Sequence, residues 1–203
     1  NCLGVYEEYS DFIKRLTYEI EQIIKKLESA RDYYCDSSED GITKIICDLL
    51  VQKSINASHG SYSSGETDLL VTYGPHTWIS ESKWWNKDED AFEGMRQLST
   101  RYSTGSKNDQ SGCVLLYNNT GNLSDKVERL KLLYLDKTSE FKGISTISCD
   151  HSAAAFLTQH KHDASGEIYE VRHRAVNFFH EPQDKSAKIT RKRKQLKADK
   201  SKK

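Results

Sequence analysis

The stretch GETDLLVTYGPHTWISESKWW, residues 65–85, constrains this chain more than any other. Two short apolar runs flank a Gly-Pro turn, the pattern of a β-hairpin. Yet Asp68, Glu81 and Lys83 stand inside those runs. Strand side chains alternate, so Ile79, Glu81, Lys83 and Trp85 share one face and Trp78, Ser80, Ser82 and Trp84 the other. With GPHT as a four-residue loop, Tyr73 pairs with Trp78 and Asp68 falls opposite Lys83, with Glu81 one step along the same face. Opposed Cβ atoms are about 5 Å apart and diagonal ones about 7–8 Å, so both carboxylates reach one ion between them. Acids so close repel unless a cation or a proton separates them. Mg²⁺ or Mn²⁺ suits such oxygen ligands better than zinc. Lys83 sets a positive charge beside that ion, where it can hold a phosphate or orient a water.

The competing reading is a surface salt bridge between Lys83 and Asp68, worth about 0–1 kcal/mol, with Glu81 a solvated neighbour. The setting argues against it, because TDLLV and WISESKWW are too apolar for an exposed hairpin. Ions placed within hydrophobic runs point to a site.

The rest of the chain supplies a frame. Residues 6–30 carry Tyr6, Tyr9, Phe12, Ile13, Leu16, Ile20, Ile23, Ile24 and Leu27 at the spacing of an amphipathic helix. About 24 residues would span about 36 Å, more than a domain of this size needs. Such a helix either pairs with another copy or a partner, or packs on its own domain. Ser37 and Asp40 fit a helix start, followed by the stripe Ile42, Ile46, Leu49 and Leu50. Glu39 falls on the side of Ile42 and Ile46. NASHGSYSSG reads as a polar loop. Residues 89–102 read as a helix, SGCVLLYNN as a buried strand, NLSDKVERLKLLYLDK as another helix and 166–181 as a closing strand or hairpin arm. The order helix, strand, strand, helix, strand, helix, strand predicts an α/β fold, a mixed central sheet flanked by helices.

Charge divides the chain. Residues 184–203 hold ten Lys/Arg against two Asp/Glu, so a tail of +8 follows a body of −8. Three units follow: an N-terminal amphipathic helix (1–36), a core domain (37–183) and a basic, disordered tail (184–203). Five scattered cysteines without a C-x-x-C pair exclude a zinc ribbon and fit free thiols in a reducing cytoplasm. No run of eighteen apolar residues predicts a membrane span, and nothing resembles a signal peptide. The chain opens at Asn1 without Met, which fits a fragment, a processed form or one domain of a longer polypeptide.

GETDLLV…WISESKWW resembles the signature of the PD-(D/E)XK nuclease superfamily, the restriction-endonuclease-like fold. Asp68 matches its first acid, and Glu81-Ser82-Lys83 matches its acid-x-Lys. Glu39 is placed as the upstream helical acid that often completes the site. In MRQLSTRY, Gln97 and Tyr102 look similar to the Gln and aromatic of the following helix, though five residues apart rather than four. Thr67 stands where the pattern has a proline. CVLLYNN resembles the next core strand, and HKHDASGEIYEVRHRAVNFFHEP looks like the closing segment of one bacterial branch, so the likeness covers about residues 39–182.

The resemblance implies metal-assisted hydrolysis of a phosphodiester with a sugar 3′-oxygen as leaving group. Asp68, Glu81 and Glu39 would hold Mg²⁺ or Mn²⁺, and Lys83 would orient water or offset charge at phosphorus. Gln97, Tyr102 and Lys87 are the expected substrate contacts. DNA is the expected partner, RNA staying open, with a role as an effector in restriction or phage defence. An acidic body needs the tail, a local patch or a partner protein to bind it. The tail could instead meet anionic lipid, but it lacks an apolar face to enter a bilayer. The rival class is a catalytically silent nucleic-acid-binding or assembly module on the same fold. Trp84 and Trp85 read as core or rim rather than nucleic-acid contacts. His160, His162 and Asp163 read as a polar loop, and Glu167, Glu170, Arg172 and Arg174 as a solvated strand face.

Overall fold

The computed structural model describes residues 7–60, 67–149 and 152–184. The basic tail beyond Asp184, Cys2 and Tyr6 lie outside them. Seven strands form one sheet in the order β1-β2-β3-β4-β7-β6-β5, namely β1 (Asn56–Ser58), β2 (Leu69–Tyr73), β3 (His76–Trp84), β4 (Ser111–Asn118), β5 (Ser145–Ser148), β6 (Ala155–Lys161) and β7 (Ile168–Asn177). β3, β4 and β7 are parallel at the centre, and antiparallel pairs extend the sheet on both sides. The expected α/β class and mixed sheet are present.

α1 (Tyr9–Ser29) and α3 (Glu39–Gln52), joined by the single turn α2 (Arg31–Tyr34), pack on one face. Every third or fourth residue of α1, from Phe12 through Leu16, Ile20, Ile23 and Ile24 to Leu27, is buried there. The helix runs beside β4 and β7. Tyr9 Oη accepts from Ser111 N at the start of β4, and Glu28 accepts from Asn177 N at the end of β7. Its length of roughly 32 Å matches ten strand residues at about 3.3 Å each. The length that suggested a partner is thus used on the chain's own sheet.

Between those ends, Glu21 accepts from Arg172 and Arg174, which are therefore ion-paired beneath a helix instead of a solvated strand face. The expectation missed this because charges 151 and 153 residues away supply the pairing.

The opposite face carries α4 (Asp88–Gln97), continued by a π-helical turn (Leu98–Tyr102), and α5 (Leu123–Leu135). His160 and His162 belong to this layer. Both are buried, His160 on β6, so the reading of a polar loop fails for them. His162 lies 2.8 Å from Ser103 Oγ through Nε2, and burial pushes His160 down to about 4. Asp163 alone fits that reading, pairing at the surface with Lys142. Part of the expected NASHGSYSSG loop is the edge strand β1. Among the described residues, no helix is long and apolar enough to cross a membrane.

Candidate active site

The hairpin turns on two residues, Gly74 and Pro75. Tyr73 pairs with His76, and the ladder ends with Leu69 opposite Ser80. Gly74 has φ +56°, which a two-residue hairpin turn of the primed kind requires at its first position. The expected four-residue loop is therefore replaced, and the register moves by two. Asp68 comes level with Glu81 and not with Lys83. A shift of two keeps the alternation of faces, so Asp68, Glu81 and Lys83 still converge.

They converge on an ammonium. Lys83 Nζ lies 3.5 Å from Glu81 Oε2, 3.9 Å from Asp68 Oδ2 and 3.9 Å from Glu39 Oε1. Glu39 enters from the first position of α3, which starts behind the N-cap Ser38, whose hydroxyl accepts from Gly41 N. The cap is thus one residue later than the expected Ser37.

The end of β2 shapes the site. Beyond Leu69 the β2 side of β3 has no ladder partner among the described residues, and backbone donors left open there must be filled. Two carboxylates fill them. Asp68 Oδ2 accepts from Ser82 N at 2.7 Å, and Glu39 Oε2 accepts from Trp84 N at 2.6 Å. Each acid is thereby fixed by main chain while an oxygen faces Lys83. Sequence reasoning did not find these caps, since they depend on where the ladder stops.

Glu81 is held by the Asp68 backbone N–H and by Lys83. It is 2% exposed, and its Oε1 lacks a hydrogen bond among the described residues. Burial, then the charge of Asp68, pushes its carboxyl up to about 8 against the opposing pull of Lys83. At neutral pH it holds a proton in this environment. Burial also raises Glu39, with Asp68 and Asp90 adding to the rise and Trp84 N–H and Lys83 opposing it.

The other expected residues differ in their relation to this cluster. Tyr102 is buried, and its phenol is raised by burial and then by Glu81, which places it in the field of the acids. Gln97 is half-buried, with Oε1 lacking a partner among the described residues. Lys87 is exposed at the entrance to α4, where its N–H donates to Asp90 Oδ2. It makes no described contact with the acids. α4 approaches this face closely at Gly94, where a Cβ would lie 3.0 Å from Val114 Cγ1 and 3.6 Å from Lys83 Cγ. Trp85 is buried and Trp84 half-buried in core clusters, as expected.

Sequence reasoning also missed Thr43 and Tyr117. Tyr117 Oη, fully buried, lies 2.9 Å from Thr43 Oγ1 and 3.3 Å from Ser82 Oγ. The available signal was a hydroxyl within the apolar run CVLLYNN.

The donor set is all oxygen and includes a buried carboxylate atom without a partner, so it fits a hard divalent cation. The acids surround the ammonium instead of a common point. Among the described residues, no group of three His, Cys, Asp or Glu is gathered closely enough to hold a metal. A cation would draw the carboxylates inward or displace Lys83 Nζ. No family model, curated protein or solved structure matches this chain.

Proposed function

We propose that this chain is a metal-dependent nuclease that hydrolyses phosphodiester bonds of DNA, with a fold of the restriction-endonuclease kind. One observation carries the reading: carboxylates from three separate places in the chain lie within 3.9 Å of a single lysine ammonium, one of them buried with an unfilled oxygen. A hairpin stabilised by a surface ion pair needs one acid, solvated. Here three acids share one lysine, and the burial of Glu81 costs stability that a structural role does not return.

Asp68, Glu81 and Glu39 would hold Mg²⁺ or Mn²⁺, which when bound polarises the phosphate and acidifies water. Lys83 supplies a donor and a positive charge where negative charge grows at phosphorus. Asp68 and Glu39 stay aimed because Ser82 and Trp84 backbone N–H groups hold one oxygen of each. A water oxygen bonds to phosphorus as the bond to the sugar 3′-oxygen breaks, and that oxygen leaves with a proton. Tyr102 lies in the field of the acids, and Gln97 and Lys87 would contact the substrate, Lys87 as a cation for a flanking phosphate.

The rival, a silent binding module, keeps the fold and needs no repelling acids. Supercoiled plasmid incubated across a range of Mg²⁺ concentrations separates the two. The proposal expects nicked and linear products that disappear with EDTA and with Lys83→Ala. Intact plasmid at every Mg²⁺ concentration, with folded protein bound to it, favours the binding module.

A further inference from the structure

The acids Asp68 and Glu39 arrive from different elements, and something must set their separation. Beneath them lies a chain of buried hydroxyls in an otherwise apolar cluster that includes Ile42, Ile46, Leu115 and Phe178. Thr43 Oγ1 donates to the main-chain carbonyl of Glu39 at 2.9 Å. It also lies 2.9 Å from Tyr117 Oη, a contact in which either hydroxyl can donate. Tyr117 Oη also lies 3.3 Å from Ser82 Oγ, and Ser82 N donates to Asp68. Thr43, Ser82 and Tyr117 are each 1% exposed or less.

Phenylalanine would fill the position of Tyr117 equally well, since its ring packs against Trp84 and Phe178. The hydroxyl adds a desolvation cost that only its partners offset. Its partners are a residue of α3 one turn from Glu39 and the residue of β3 whose N–H holds Asp68. We propose that Tyr117 is a positioning residue, which, through Thr43 and Ser82, fixes the first turn of α3 against β3 and so sets the spacing of Glu39 and Asp68 around Lys83.

This rests on the nuclease reading only for its consequence, not for its geometry. The phenol stays protonated, burial holding its pKa well above the ordinary value, so the link is constant across working pH. Groups behind metal ligands commonly change metal affinity by 10–100-fold when removed.

The test uses Tyr117→Phe, Thr43→Val and Thr43→Ser on the full chain, with two readouts. The first is the backbone amide proton resonance of Trp84, which reports its bond to Glu39 with no metal present. It should move upfield in Tyr117→Phe and Thr43→Val and stay in place in Thr43→Ser, which keeps the hydroxyl. The second is Mn²⁺ affinity by titration calorimetry, expected to fall about tenfold in the first two variants and to be kept in the third. A Trp84 resonance unchanged in both hydroxyl-free variants overturns the proposal. Wild-type protein that ignores Mn²⁺ while the resonances move as stated removes the metal reading and leaves the positioning intact. Should Tyr117→Phe fail to fold, the two Thr43 variants decide alone.

Discussion

Glu81→Gln should make the metal-free protein more stable, by an amount that depends on pH. The Glu81 carboxyl goes from an ordinary 4.5 in the unfolded chain to about 8 in the fold, through burial first and the charge of Asp68 second. A raised value means that the folded state keeps its proton longer. The favourable contribution is whole below pH 4.5 and is lost as pH rises toward 8. Each pH unit in that window is worth about 1.4 kcal/mol, so the burden is roughly 3 kcal/mol at pH 7 and under about 1 kcal/mol at pH 5. Glutamine has nearly the same shape and no charge to lose, so the variant escapes the burden in full. Urea unfolding in EDTA, followed by tryptophan fluorescence, measures it. With a slope of about 2 kcal/mol/M, the variant's midpoint should exceed that of the wild type by more than about 1 M at pH 7, shrinking to less than half of that at pH 5. A variant no more stable than wild type at pH 7 would refute the reasoning, because Glu81 would then be an ionised partner of Lys83 that supports the fold.

Other outcomes follow from the same kind of argument. Burial lowers His160 to about 4 and His173 to about 3, so their contribution is complete above pH 6.5 and lost as pH falls. Together they should remove roughly 4 kcal/mol between pH 7 and pH 5, read in a Glu81→Gln background, where the opposing change at Glu81 is absent, as a fall in unfolding free energy that His173→Phe reduces. Glu21→Ala strips Arg174, which is 5% exposed, of its nearest carboxylate and should cost about 3 kcal/mol by thermal or urea unfolding. Truncation after Pro182 removes the ten cations of the tail and should weaken duplex DNA binding. It should also flatten the salt dependence, by about 0.9 in slope for each phosphate no longer neutralised, with turnover at saturating substrate unchanged. Unchanged affinity and slope would place recognition elsewhere.

How the site could be read in advance, and where that reading stopped, depends on the range of each signal. Alternation is local and survives an error of two, so Asp68, Glu81 and Lys83 came together although the loop was misjudged. The turn was misjudged because His76 and Thr77 are polar and look like loop, while in the fold they pair with Tyr73 and Thr72. Glu39 was visible from its place in the stripe of α3. The strands β1, β5 and β6 were not, being short or polar in sequence and made into strands by their neighbours. Arg172 and Arg174 looked solvated for the same reason: their carboxylate belongs to α1. The expected partner for α1 rested on its length and its apolar stripe; β4 and β7 account for the length, and the stripe is buried in the chain's own core.

The central claim is that Glu39, Asp68 and Glu81 form one divalent-cation site governed by Lys83. A cleavage assay depends on offering the right substrate, but metal binding does not, so titration of the full chain with Mn²⁺ tests the claim most directly. Wild type should bind one or two ions, Asp68→Asn should lose that binding, and circular dichroism should show both folded alike. Equal Mn²⁺ binding by wild type and Asp68→Asn, or none by either, would contradict the account.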